Sequence, residues 1–226
     1  MNPSTAFADA DAVARYAEGP PRLVPGFAGL QRMAAILIAE RAPADARVLV
    51  LGAGGGLELK AFAQAHPGWS FTGVDPARPM LDLAAATLGP LAARVEWIHG
   101  TIDAAPAGPF DAGACLLTLH FLDAAERLRT LRDVRRRLRP GAPFVVAHAS
   151  FPQAGGERAR WLSRYAAFAA ASGIDPAQAE AGRAAIDRHL HLLAPAEDEA
   201  ILEDAGFTDI TLFHVGFTFR GWVAYA

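Results

Sequence analysis

The chain has 226 residues, 52% apolar and 20% charged, which supports one well-buried domain and excludes both a disordered chain and a large multidomain assembly. A formal charge of -3 removes any global attraction to phosphate backbones or anionic lipid, so no nucleic-acid or membrane partner is expected. The lone Cys115 cannot close an intrachain disulfide, residues 1–16 lack a basic-then-apolar leader, and no apolar run approaches the ~20 residues of a bilayer span; a cytoplasmic protein is expected.

In chain order, turn-rich Gly19-Pro20-Pro21 and Pro25-Gly26 precede a helix at 31–41. From residue 48 onward short β-rich runs alternate with helical spacing: strands at 48–51, 70–74, 95–99, 111–118 and 143–149, and helices at 57–65, 80–88 and 123–138. That alternation predicts an α/β fold, a mostly parallel sheet with helices on both faces. Residues 153–191 interrupt it. There Trp161, Leu162, Tyr165, Phe168 and Ala169 recur at helical spacing and suggest a helical lid. Residues 195–205 read as a helix stopped by Gly206, and 208–215 with 217–225 as a hairpin about Gly216 that adds antiparallel edge strands, for seven strands in all. One domain is expected over 1–226, with an N-terminal helical cover at 1–42 and the lid inserted at 153–193.

The densest signal is Val50-Leu51-Gly52-Ala53-Gly54-Gly55-Gly56-Leu57-Glu58. Glycines at the tip of a first strand let the backbone turn tightly and bring the next helix's N–H groups to a ligand. Leu57 stands where a dinucleotide fingerprint needs its third glycine, and Lys60 neither follows a glycine nor precedes Ser or Thr, so neither a nicotinamide site nor an ATP-splitting phosphate loop fits. Asp75 ends the second strand nineteen residues beyond Gly56, where a carboxylate can accept both hydrogen bonds of a ribose diol.

On these residues the chain resembles the class I S-adenosylmethionine-dependent methyltransferase superfamily, with its G-x-G-x-G loop and acid-ended second strand. His99-Gly100-Thr101-Ile102, 110–120 and Leu138-Arg139-Pro140-Gly141 extend the likeness. Arg22-Leu23-Val24-Pro25-Gly26-Phe27, Leu117-Thr118-Leu119-His120-Phe121-Leu122 and the ending from Ala205-Gly206-Phe207 resemble the branch containing carboxy-S-adenosylmethionine synthase. The chain departs from the family pattern at Val50, where an acid is usual two positions before the first loop glycine, and at Thr101, where an aspartate is common. The resemblance implies S-adenosyl-L-methionine as cofactor, held by Gly52, Ala53, Gly54, Gly56, Asp75, Pro76, Met80, Thr101, Ile102 and Leu117.

Methyl transfer needs in-line approach of an acceptor, and a hydroxyl or amine acceptor also needs its proton removed. His120, just beyond the fourth strand, is the candidate base; His148, inside the fifth, reads as structural. Tyr16, Trp161 and Tyr165 are candidates to line the substrate side and face the sulfonium. In the alternative reaction, carboxy-S-adenosylmethionine synthesis from a prephenate-like donor, the resemblance gives Arg183 the carboxylate. A binding module without turnover is the third reading. The arginine-rich stretch 127–139 carries Leu128, Leu131, Val134 and Leu138 at helical spacing, so it reads as a helix with a buried stripe and solvated arginines. His189 and His191, two apart, do not make a metal pair, and no metal is expected. A small organic acceptor is expected; monomer and homodimer both stay open.

Overall fold

The computed structural model describes residues 16–226, so the first fifteen residues of the expected N-terminal cover lie outside the described residues. The helices are α1 (Gly19–Leu23), α2 (Phe27–Ala39), α3 (Leu57–Ala65), α4 (Arg78–Leu88), α5 (Ala124–Arg137), α6 (Glu157–Ala171), α7 (Pro176–His189) and α8 (Pro195–Asp204). The strands are β1 (Arg47–Leu51), β2 (Ser70–Asp75), β3 (Val95–His99), β4 (Ala112–Leu116), β5 (Pro143–Ala149), β6 (Thr208–Gly216) and β7 (Phe219–Tyr225). They form one sheet in the order β3-β2-β1-β4-β5-β7-β6. The first five strands of that order run parallel, β7 is antiparallel to β5, and β6 antiparallel to β7. After β3 the chain returns to lie beside β1 as β4, and at such a reversal the carboxyl ends of the strands open a ligand crevice.

Side chains alternate across β1 and so feed two cores. Val48 and Val50 pack with Leu30 and Ile38 of α2, Phe62 of α3 and Leu162 of α6, whereas Leu49 and Leu51 pack with Leu131 and Val134 of α5, Leu202 of α8 and Trp222 of β7. Helices therefore cover both faces, as the alternation predicts.

Several details differ from the sequence reading, the helix over Gly19-Pro20-Pro21 and the end of β4 at Leu116 among them. The lid is two helices, because Gly173 adopts a φ of 88° and Asp175 then caps α7, accepting from Ala177 N at 3.0 Å and Gln178 N at 3.1 Å ahead of Pro176. The hairpin turns at Phe217-Thr218 instead of Gly216, which stays in β6 because a side chain there would meet Pro25 O at 2.8 Å. Of the hairpin's two strands only β6 is an edge of the sheet; β7 lies between β5 and β6, and β3 forms the opposite edge.

Helix α5 begins with a reciprocal cap in which Glu126 N donates to Asp123 Oδ1 at 2.8 Å and Asp123 N donates to Glu126 Oε2 at 3.3 Å. Most of its arginines reach solvent, but Arg127 is 1% exposed and pairs with the equally buried Asp198 of α8. Arg127 also donates to His191 O at 2.8 Å, and His148 Nε2 stands 3.1 Å from Asp198 Oδ1, which agrees with a structural His148. Burial alone would raise the Asp198 pKa, yet His148 and Arg127 together hold it below the usual carboxylate range. A carboxylate lowered in the fold contributes stability that is complete above its unfolded pKa and is lost as pH falls through its folded one. Asp198→Asn should cost about 3 to 5 kcal/mol by leaving Arg127 buried without its counter-charge, read as a lower denaturation midpoint in urea.

Candidate active site

At the tip of β1 the chain crosses to β2, and Gly52 N and Ala53 N donate to Val74 O at 2.8 and 3.0 Å. Gly52 has a φ of 71°, and a Cβ there would fall 2.0 Å from Thr118 Oγ1, so the glycine loop and the β4 tip touch only because this residue has no side chain. Gly56, at a φ of 78°, opens α3 and lets it pack on α4, where a Cβ would lie 2.9 Å from Ala84 Cα. Asp75 ties the pieces together. Its Oδ2 accepts from Gly54 N at 2.9 Å and its Oδ1 from Ala77 N at 2.8 Å, which leaves each oxygen a further acceptor site. Burial pushes the Asp75 pKa up, and those two bonds together with His99 oppose the rise.

Around this junction lies a cleft. Gly52, Gly54, Asp75, Pro76, Met80, Thr101, Ile102 and Leu117 all line it, so eight of the ten expected cofactor residues converge. Ala53, fully buried, and Gly56 shape the loop without lining the cleft. The Thr101 hydroxyl donates to Asp103 Oδ2 at 3.2 Å. Among the described residues no lysine, arginine or histidine lines the cleft.

Sequence reasoning missed Gln31, Glu58 and Thr118, which also line it. Glu58 is the second residue of α3, a position where an acid ordinarily faces water at the positive end of a helix. Its spacing was the available signal, because Phe62 four residues on is fully buried. Glu58 itself is only 8% exposed, and burial, with a smaller push from Asp75, raises its pKa to about 8 against the stabilising pull of its own backbone N–H.

A second cavity of about 510 Å³ adjoins the cleft and shares Tyr16, Pro20, Leu117 and Phe121 with it. Its walls are apolar: Leu23, Val24, Phe151, Leu162, Tyr165, Ile186 and Phe219, with His120, His189 and Thr218 as polar members. Leu117 reaches both spaces from a φ of 58°, a strained backbone for a leucine at the point where β4 turns outward. The lid helices thus supply a wall, and Tyr16 stands between the two spaces; a side chain on Gly55 would meet its ring at 2.6 Å.

The site brings in two of the three expected catalytic residues. His120 sits on a 3₁₀ turn over Leu119–Phe121 and lines the outer cavity. Ala149 N donates to its Nδ1 at 3.1 Å, so the neutral ring carries its proton on Nε2. Burial first, then His148 and Arg127, drive its pKa down to about 3 despite the opposing Asp198. The base role expected of it does not fit: one nitrogen already accepts, the other already holds a proton, and only a donor remains. Arg183 lies outside both cavities, its Nε donating to Glu180 Oε1 at 2.7 Å on the outer part of α7. Trp161 does not line them either; Arg220 and Arg164 lie over its ring at 5.3 and 4.3 Å. Among the described residues no cluster of His, Cys, Asp or Glu would hold a metal, and no single helix is long and apolar enough to cross a membrane.

Gly52→Ala should destabilise the fold by about 1 to 3 kcal/mol, seen as a lowered thermal midpoint, through overpacking on Thr118 together with the left-handed φ. Adding Thr118→Ala should recover only part of the overpacking, because Cβ of residue 118 would still lie 2.7 Å away.

Residues 48–141 match the model of a methyltransferase domain family. Over 96% of its length the chain is 22% identical to a carboxy-S-adenosyl-L-methionine synthase of Campylobacter lari, covering 93% of that enzyme. It is 27% identical to one of Chromohalobacter salexigens, again over 96% of the chain and covering 82% of the relative. Human N-acetylserotonin methyltransferase, solved with S-adenosylmethionine, superposes on 98% of the chain with a TM-score of 0.63 at 13% identity, and the chain spans 58% of that enzyme's length. In its matched core and its sheet order, the chain is similar to the class I S-adenosylmethionine-dependent methyltransferase superfamily.

Proposed function

We propose that this protein is a methyltransferase that uses S-adenosyl-L-methionine to methylate a small, largely apolar acceptor seated in the outer cavity. The observation that carries this reading is the junction of the two spaces: a cleft built on the glycine loop and Asp75 opens at Tyr16 and Leu117 into a largely apolar chamber.

The residues present suit the cofactor. Asp75 has spare acceptor capacity for a ribose diol, Met80 and Ile102 offer apolar contact to a heterocycle, and the ring of Tyr16 can face a cation at the mouth. When bound, the cofactor supplies an electrophilic methyl group next to sulfur. The chain's own contribution is to hold an acceptor in line with that group, a positioning effect that can supply about 7 to 11 kcal/mol of a barrier. In this reading Nε2–H of His120 and the hydroxyl of Thr218, which has no hydrogen-bond partner among the described residues, orient an oxygen of the acceptor.

The curated relatives are named for carboxy-S-adenosylmethionine synthesis, and full-length similarity to them keeps that reaction as the second reading. Against it, no arginine or lysine lines either space among the described residues, and Arg183 is engaged by Glu180. A dicarboxylate donor would enter an apolar chamber without a counter-charge, an unfavourable transfer. In both readings the enzyme is expected to act in the cytoplasm, as a monomer or a homodimer.

Two measurements test the proposal. Asp75→Asn should weaken S-adenosylmethionine binding by roughly tenfold or more, the loss expected when hydrogen bonds to a charged acceptor are weakened, as measured by calorimetry. Purified protein offered a panel of phenols, hydroxylated heterocycles and aliphatic alcohols should form S-adenosylhomocysteine with the apolar members. Release of a carboxylated nucleoside from the purified protein would instead establish the synthase reading, and unchanged binding by Asp75→Asn would remove the proposed site. With an acceptor in hand, His120 should leave no inflection in the pH–rate profile near neutrality, because its pKa is held at about 3.

A further inference from the structure

The cofactor cleft contains two carboxylates, Asp75 and Glu58, and among the described residues no basic side chain. Asp75 is anchored by two backbone N–H groups; Glu58 has no comparable anchor. Apart from its own backbone N–H, the groups around Glu58 give it nothing to ionise against. Tyr16 and Asp75 are electrostatically coupled to it as acidic groups, and Cys115 behind it on β4 is a buried thiol. From α2, Gln31 lines the same cleft, and its Nε2, in a side chain 9% exposed, has no hydrogen-bond partner.

We propose that Glu58 is the counter-charge for the cationic end of the cofactor: protonated in the empty cleft, it ionises when a net-positive nucleoside enters, releasing its proton to solvent. This rests on the reading that S-adenosylmethionine binds beside the glycine loop. It also accounts for Val50, the uncharged residue where the superfamily pattern has an acid: the carboxylate is delivered by the first turn of α3 instead of by the strand. The unpartnered Gln31 Nε2 then has an acceptor, either the ionised Glu58 or the carboxylate of the ligand's amino-acid moiety.

The device discriminates by charge. S-adenosylmethionine carries a sulfonium, an ammonium and a carboxylate, for a net charge of +1. When the methyl group leaves, the S–C bond's electron pair stays on sulfur, and S-adenosylhomocysteine is neutral. A sulfonium bearing an added carboxylate is neutral as well. Glu58 therefore favours the methyl donor over the spent product and over the carboxylated nucleoside, and it takes a proton back from solvent once the charge has gone. Burial, which raises the pKa of this side chain from 4.5 to about 8, sets the cost of ionising it.

The test is calorimetric titration at neutral pH in buffers of different ionisation enthalpy, which counts protons exchanged on binding. Wild type should release close to one more proton with S-adenosylmethionine than Glu58→Gln does, and much less with S-adenosylhomocysteine. Glu58→Gln should lose most of the preference for S-adenosylmethionine, about tenfold or more, while binding S-adenosylhomocysteine about as well as wild type. Folding of the variant is checked separately. Because Glu58 is raised in the fold, wild-type stability should fall relative to Glu58→Gln as pH climbs from 4.5 to about 8, and the two should match at the acid end. Equal proton counts in wild type and variant, or an unchanged preference between the two nucleosides, would overturn the proposal and leave the binding reading intact. An absence of binding heat with either nucleoside would overturn both.

Discussion

Asp75 accepts from Gly54 N with one oxygen and from Ala77 N with the other, and the rest of the site is arranged around those two bonds. One bond fixes the loop after β1; the other fixes the turn after β2 that launches α4. A carboxylate is suited to this because it accepts several hydrogen bonds in one plane and keeps lone pairs for a ligand. Without it, Gly54 and Ala77 would present buried or half-buried N–H groups with no partner, a cost that would spread the loop tips apart. The acid at the end of β2 is thus a structural clasp in its own right.

Gly52 completes the clasp by bringing β4 into it. Its missing side chain admits Thr118, which places the strained Leu117 and the 3₁₀ turn of His120 over the crevice. The order of strands in the sheet opens the crevice, and local contacts narrow it into two connected spaces of different character. The carboxylates are confined to the inner one, and aromatic and aliphatic side chains from the lid line the walls of the outer one.

What was legible in the sequence was whatever depends on short-range spacing. The strand–glycine–helix transition at 48–57, the acid at 75 and the cap at Asp123 are local patterns, and the structure holds the loop and acid together where spacing implied. Roles fixed by contacts distant in sequence were harder. His120 was locatable from its place after the fourth strand, but its inability to act as a base depends on Ala149 N, a strand away. Arg127 sits in an arginine-rich run in which its neighbours are solvated, and only the packing of α8 onto α5 distinguishes it. Glu58 was hidden by a rule that is usually right, since acids in first turns mostly serve the helix dipole. Arg183 was carried by likeness alone, and Glu180 one turn away gives the guanidinium an intrahelical partner.

The distribution of charge separates the two chemistries of this superfamily better than the fold does. Both reactions begin from the same sulfonium, so a glycine loop and a ribose acid are common to them. They differ in where negative charge must be accommodated: carboxyl transfer brings a carboxylate to the outer space and leaves one on the cofactor, whereas methyl transfer to a hydroxyl brings none. A chamber lined by Leu162, Tyr165, Ile186 and Phe219, opening onto a cleft that already holds Glu58 and Asp75, offers such a carboxylate neither a guanidinium nor an ammonium. Placing one there would set like charges together in a poorly solvated space, where their repulsion is weakly screened. The same arrangement suits a ligand that arrives positive and departs neutral, because the carboxylate that attracts the first has no hold on the second.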